Sequence, residues 1–188
     1  MNSGTVSIAA GELSDRLAKF LCKDFYSNVN FIGDKSILDL RATALFCSTR
    51  TPGKAILKSH DYAASLRQQG RVVVGGFQSG IEKDSLDILM RGKQPIIVCP
   101  ARSLEKFRVP VAWRPAIVAG RLLLLSPFSA SVHRVTVETA AKRNEFVAAL
   151  ADEVVMAHIE PGGKLEVLAA MVRGWGKPLR VLDDEASG

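Results

Sequence analysis

At 188 residues, with 47% apolar and 23% charged side chains, the chain can build one domain with its own core, which excludes a disordered or low-complexity polymer. No apolar run approaches the ~20 residues that span a bilayer, and the start M-N-S-G-T-V-S-I-A-A-G-E has neither the basic nor the apolar part of a secretory leader, so a cytoplasmic protein without membrane contact is expected. The net charge of +6 is concentrated: residues 91–121 hold seven cations against one acid, Glu105, which suits phosphates or nucleic acid as well as a plain solvated face.

In chain order, Leu13, Leu17, Phe20 and Leu21 share one helical stripe and predict a helix after Gly11-Glu12. A polar break at residues 27–30 precedes a short apolar piece at Phe31-Ile32, and Gly33-Asp34-Lys35-Ser36 reads as a loop. Residues 1–38 are therefore expected as an N-terminal extension packed on the main domain, residues 39–184 as that domain, and residues 185–188 as a disordered tail. The run A-T-A-L-F-C, residues 42–47, is apolar throughout, as in a strand covered on both faces. A turn at residues 48–53 leads to a helix over 56–69, with Ile56, Ala63, Ala64 and Leu66 inward and Gly70 as its stop. Residues 72–74 form a second strand, and Ser79-Gly80 opens a helix with Ile81, Leu86, Leu89 and Met90 on one side, ending near Arg91. A third strand is expected over 95–99, then short helices and loop over 102–120, interrupted by Pro110 and Pro115. The remaining elements are a strand at 122–126, a helix at 138–150, a strand at 153–158, a helix at 165–173 and a last strand at 179–182.

Short apolar strands alternating with helices call for an α/β fold, a doubly wound and mostly parallel Rossmann-like sheet with helices on both faces. It forms a single domain with a short N-terminal helical extension. Right-handed crossovers would bring the turns after Cys47, Val74, Cys99 and Met156 to one edge, the carboxyl ends of the strands. The stretches Ser48-Thr49-Arg50, Gly75 to Gly80 and Pro161-Gly162-Gly163 then converge, and that convergence is the argument for a site.

The corner R-V-V-V-G-G-F-Q-S-G-I-E-K-D, residues 71–84, has the strand–glycine–helix form that cradles phosphates with free amides. A tight connection with no ligand has the same form. Ile81-Glu82 stand where a P-loop has lysine and serine or threonine, so that motif is absent, as are G-x-G-x-x-G and G-x-S-x-G. Glu82 and Asp84 favour the helix dipole and repel a phosphate, which moves any ligand charge toward Ser79. Arg50, directly after a strand, suits either a phosphate fork or a surface turn. Arg143-Asn144 suits a strand-end site or the solvated stripe Lys142 to Glu145. Trp113 and Trp175 suit base stacking or core packing. Cys22, Cys47 and Cys99 lack a C-x-x-C, and His60, His133 and His158 share no ligand spacing, so neither a metal nor a cofactor is expected.

The order of these motifs is informative. L-F-C-S-T-R ends the first strand; G-G-F-Q-S-G-I-E forms the corner; L-L-L-S-P-F ends the strand at 122–126; R-N-E-F-V-A-A-L-A lies in the helix at 138–150; Gly163-Lys164-Leu165 opens the next helix. From about Ala42 to Asp183 this set resembles the Rossmann-like domain of the DNA-processing protein A (DprA/Smf) family. Thr49 and Arg50 match that family's G-S/T-R, with Ser48 for its glycine. Gly76, Gly80 and Ile81 match its S-G-x-A-x-G-I-D, with Glu82 for the aspartate. Arg143, Asn144, Ala148 and Leu150 match R-N-R-I-I-A-G-L, with Glu145 for an arginine. The resemblance implies single-stranded DNA binding at a basic pocket, homodimerisation, and loading of a RecA-type recombinase during DNA recombination. Arg50, Gly80, Arg143 and Asn144 would line that pocket. With Ser48, Thr49, Gly76, Ser79, Gly162 and Gly163 they make up the expected ligand-binding set.

Pro161-Gly162-Gly163 is also similar to the P-G-G-x-G-T-x-x-E loop of the Lonely Guy nucleotide phosphoribohydrolases, in the same superfamily. That likeness would give Glu166 a catalytic role beside a ribose, although it comes three residues early and the glycine–threonine pair is missing. The first expectation is thus a DprA-like protein of single-stranded DNA. The alternatives are a nucleotide-hydrolysing enzyme of Lonely Guy type and a nucleotide sensor without catalysis.

Overall fold

Apolar runs with no polar face become strands here because each divides its side chains between two cores. The computed structural model describes residues 6–8, 13, 16–22, 29–48 and 50–184. In β3 (Ala42–Phe46), Ala42, Ala44 and Phe46 enter one buried cluster and Leu45 the other. β4 (Val72–Gly75), β5 (Ile96–Val98), β6 (Leu122–Ser126) and β7 (Glu153–Met156) alternate likewise. Val72, Val74, Ile97, Leu123, Leu125, Val154 and Met156 lie on the first side, and Val73, Ile96, Val98, Leu122, Leu124 and Val155 on the second. Each such side chain buried contributes about 1.5–3 kcal/mol, so both faces hold the sheet.

Helices cover both faces, as the alternation predicts. α1 (Gly53–Gln69) and α2 (Gly80–Met90) bring Ala63, Leu66, Leu86 and Leu89 to the second cluster. A 3₁₀ turn (Val111–Trp113) and the short α3 (Arg114–Val118) fill the stretch expected as short helices and loop. α4 (Val137–Leu150) and α5 (Lys164–Gly174) bring Phe146, Val147, Leu150, Leu165, Leu168 and Val172 to the first cluster. Gly70 stops α1 in the left-handed conformation, φ +69°, with its N–H donating to Arg67 and Leu66 carbonyls.

Among the described residues the sheet has eight strands, β1 (Val6–Ile8), β2 (Val29–Ile32) and β8 (Leu179–Val181) joining those above, in the order β1-β2-β6-β5-β4-β3-β7-β8. From β6 through β8 all neighbours are parallel. β2 pairs antiparallel with β6, and β1 antiparallel with β2. The segment expected only to pack on the domain therefore also extends its sheet. Four residues with Val29 and Ile32 buried are too few to show alternation in the sequence. The expected helix around Leu13 to Leu21 falls partly outside the described residues. Within them, Leu13 and Leu17 are buried, and Phe20 and Leu21 pack on the first cluster. Gly33, at φ +120°, turns the chain out of β2 so close to β6 that a Cβ would lie 2.5 Å from the Leu122 carbonyl oxygen. Among the described residues no helix is long and apolar enough to cross a membrane.

Where helices end at the amino edge of the sheet, side chains take their last carbonyls. For α2, Arg67 donates to Ile88, Gln94 to Leu89 and Arg121 to Met90. For α4, the Lys177 ammonium donates to the carbonyls of Ala148 (2.7 Å), Ala149 (2.8 Å) and Ala151 (2.6 Å) and sits 4.1 Å from the centre of the Phe20 ring. Burial pushes this ammonium down to about 8, against the attraction of Asp152. Lys177→Met keeps the stem but strands three acceptors, and should remove about 1–3 kcal/mol in a urea titration. A loss too small to measure would mean that water replaces the cap.

Candidate functional site

Parallel strands point their carboxyl ends one way, so the loops after β3, β4 and β7 meet. They and α4 form a cavity of about 600 Å³ lined by Cys47, Ser48, Gln78, Ser79, Glu82, Ala140, Arg143, Asn144, Glu160, Gly162, Gly163, Lys164 and Leu165. Six of the expected ligand residues thus line one cavity: Ser48, Ser79, Arg143, Asn144, Gly162 and Gly163. Arg50 stands outside it, its side chain 86% exposed and 3.6 Å from the Glu160 carboxylate. Gly80 is exposed at the first position of α2 and does not line the cavity. Thr49 lies outside the described residues.

Arg143 is not part of a solvated stripe. It is 3% exposed, and every guanidinium nitrogen is engaged. Nη1 donates to the Cys99 carbonyl at 3.0 Å, Nη2 to Gln78 Oε1 at 3.0 Å, and Nε to Asn144 Oδ1 at 2.8 Å. Burial lowers its pKa, while the charge of Glu82 acts the other way. Gly76 makes room for this side chain: a Cβ there would fall 1.5 Å from Arg143 Nη1. The glycine expected to admit a ligand admits an arginine. The next residue, Phe77, is buried at φ +50°, a left-handed conformation that bulky residues rarely take.

The amides of the corner already hold an anion, and it is internal. Glu82 is 7% exposed. Its Oε1 accepts from the Cys47 N–H at 3.3 Å, and its Oε2 from the N–H groups of Gln78 (2.9 Å) and Ser79 (3.5 Å). The Ser79 hydroxyl completes a capping box by accepting from the Glu82 N–H at 3.1 Å. The spacing Ser79-x-x-Glu82 is the signal that points to this role, which reading Glu82 through the helix dipole alone misses. At the second corner Gly162, at φ +71°, donates its N–H to Glu166 Oε2 at 2.8 Å, and Gly163 caps α5 without a side-chain bond. Glu166 is therefore tied to its own loop.

The lining balances two carboxylates, Glu82 and Glu160, against two cations, Arg143 and Lys164. The concentrated charge of residues 91–121 is divided by the fold. Arg91 and Lys93 precede β5 and Arg121 precedes β6, at the amino edge; Arg102, Lys106 and Arg108 follow β5, at the carboxyl edge. Cys47 and Cys99 are buried, and burial pushes both thiols up to about 12, so neither is a nucleophile near neutral pH. The Ser48 hydroxyl donates to the His158 carbonyl at 3.0 Å, and His158 Nδ1 lies 2.8 Å from the Asp183 carboxylate. The wall is thus polar, nearly neutral and rich in hydroxyl and amide groups.

No protein-family model matches the chain, and no curated protein sequence does either. Solved structures are similar to it. DNA processing protein A from Helicobacter pylori, described for its unique single-stranded DNA binding mode, superposes with a TM-score of 0.71 at 19% identity, over 96% of this chain and 81% of that one. DNA processing protein A from Streptococcus pneumoniae gives 0.72 at 16% identity, over 95% of this chain and 62% of its own length. A molybdenum cofactor binding protein from Rippkaea orientalis gives 0.53 at 10% identity, over 74% of each chain. At these identities the likeness shows the fold, the Rossmann-like fold of the DNA processing protein A structures.

Proposed function

We propose that this chain is a DprA-like protein that binds single-stranded DNA along the carboxyl edge of its sheet. One observation carries the reading: a cavity of about 600 Å³ in which Ser48, Ser79, Arg143, Asn144, Gly162 and Gly163 meet, on a fold shared with a protein described as binding single-stranded DNA. A near-neutral wall of hydroxyl and amide groups suits the polar edge of a splayed base better than a phosphate. The phosphates then belong at the rim, where Lys164 and Arg50 are exposed.

Phosphate contacts release counterions, so the logarithm of affinity for a labelled oligothymidylate should fall with the logarithm of salt by about 0.7 per contact. Three contacts give a slope of about −2. Lys164→Gln should make that slope shallower by about one contact. Fluorescence anisotropy across a salt series reads both, and equal affinity at low and moderate salt would sink the proposal. The same reading extends to self-association and to delivery of the strand to a RecA-type recombinase in the cytoplasm. Sedimentation of the free and strand-bound chain tests the first, and a recombinase-loading assay the second.

A further inference from the structure

A second concave feature lies on the carboxyl edge, beyond the cavity. The loops leaving β5 and β6 form a cleft of about 260 Å³ lined by Arg102, Ser103, Glu105, Lys106 and His133. It holds three basic groups against one acid, and Glu105 is the sole acid between residues 99 and 137. Among the described residues, none of Arg102, Lys106 or His133 makes an ion pair with a carboxylate. Arg108 and Arg134 are exposed on the same two loops.

This cleft is built rather than incidental. Ser103 is buried, and its N–H donates to the Val132 carbonyl at 2.8 Å, joining the two loops. The Ser126 hydroxyl donates to the Arg102 carbonyl at 2.8 Å. The Arg102 guanidinium lies 5.0 Å from the centre of the Phe107 ring, which holds it without neutralising it. Lys106 is kept at φ +57°, a conformation that costs a non-glycine residue energy and tends to persist where geometry serves a site. The first loop is also tied to the cavity, since the Cys99 carbonyl accepts from Arg143.

We propose that the cleft of Arg102, Lys106 and His133 is a second phosphate subsite for the same polynucleotide. The strand would run from the cavity across the ends of β4 and β5 to β6, neighbours in the sheet. At about 4.8 Å per strand, two or three spacings separate the subsites by roughly 10–15 Å, a distance that an oligonucleotide spans and a mononucleotide does not. The near-neutral cavity lacks the charge to attract a polyanion, and the cleft supplies it. This inference rests on the reading of the carboxyl edge as strand-binding.

The test compares the wild-type chain with the double variant Arg102→Gln, Lys106→Asn, asparagine being chosen because it tolerates a positive φ. The probes are an oligothymidylate of about ten residues, within the roughly 4–16 nucleotides that single-strand-binding OB folds cover, and thymidine monophosphate. The double variant should bind the oligonucleotide about tenfold or more weakly, with a log–log salt slope shallower by about 1.4 for two lost contacts. Thymidine monophosphate binding and the thermal midpoint should not change. Lys106→Asn alone, on an exposed side chain, should shift the slope by about half as much and guards against misfolding of the double variant. Wild-type oligonucleotide binding with an unaltered slope in both variants overturns the subsite and leaves the cavity reading intact. A wild-type chain that binds the mononucleotide but gains nothing from the longer strand overturns it too. Absence of any oligonucleotide binding removes both readings together.

Discussion

Arg143→Ala is expected to lower folding stability by about 3–5 kcal/mol, through the loss of three hydrogen bonds from a charged donor at about 1.5–3 kcal/mol each, offset in part where water reaches the cavity wall. The Cys99 carbonyl, which is buried, loses its donor at about 1–3 kcal/mol, and the Gln78 side-chain oxygen and Asn144 Oδ1, on half-buried residues of the cavity wall, lose theirs as well. The carboxylate of Glu82 loses the attraction of a nearby positive charge, although its three amide donors remain. The void above Gly76 adds a packing term. Urea titration reads the result as a lower midpoint at an unchanged m-value. Arg143→Lys should recover little, because a single ammonium cannot reach three acceptors arranged around a planar fork. A loss below about 1 kcal/mol for the alanine variant would show that water satisfies these groups and that the guanidinium is free to serve a ligand. Reduced DNA binding in Arg143→Ala therefore reports on the corner as much as on any contact, and Lys164 and Lys106, both exposed, are cleaner probes of binding.

The elements were legible because their signals are local. Gly70 marks the end of α1, Ser79 the start of α2, and the β-branched and leucine runs the strands covered on both faces. The meeting of three loops followed from topology alone, since a right-handed crossover leaves few choices for where strand ends point. Polar partnership inside the corner was not legible. Arg143 sits among Lys142, Asn144 and Glu145, and only the inward turn of α4 decides that one of these four is buried. Glu82 and Cys47 are distant in sequence, yet the carboxylate of one holds the amide of the other. Bare amides with an arginine aimed at a ligand are one arrangement consistent with this sequence. A buried arginine and a buried carboxylate, each engaged by its own internal hydrogen bonds, are another, and burial selects the second. Charge density misleads for a related reason: residues 91–121 are adjacent in sequence, but β5 carries the chain from one edge of the sheet to the other between Lys93 and Arg102. The antiparallel strand β2 escaped because a four-residue strand shows its period only against a partner, here β6, far along the chain.

Gly76→Ala and Gly80→Ala should behave oppositely, although a phosphate-cradle reading treats both glycines alike. Neither residue has a positive φ, so backbone strain is not the issue. A Cβ at position 80 meets nothing within 4 Å, at the first residue of α2, where alanine restricts the unfolded chain more than glycine does. Gly80→Ala should thus be neutral or stabilising by up to about 1 kcal/mol. If Gly80 touches DNA, strand affinity falls while stability does not, which separates contact from architecture. A Cβ at position 76 lies 1.5 Å from Arg143 Nη1 and 1.9 Å from its Cζ, so the guanidinium must leave and take its hydrogen bonds with it. Gly76→Ala should then cost nearly as much as Arg143→Ala, about 3 kcal/mol or more, since the same three hydrogen bonds are lost. The two losses share one cause and must not add. In a double-mutant cycle, Gly76→Ala placed on Arg143→Ala should cost less than about 1 kcal/mol, a coupling of about 2 kcal/mol or more. Additive losses would mean that Gly76 is required for some reason other than the arginine packed against it, and the corner would again be open to a ligand.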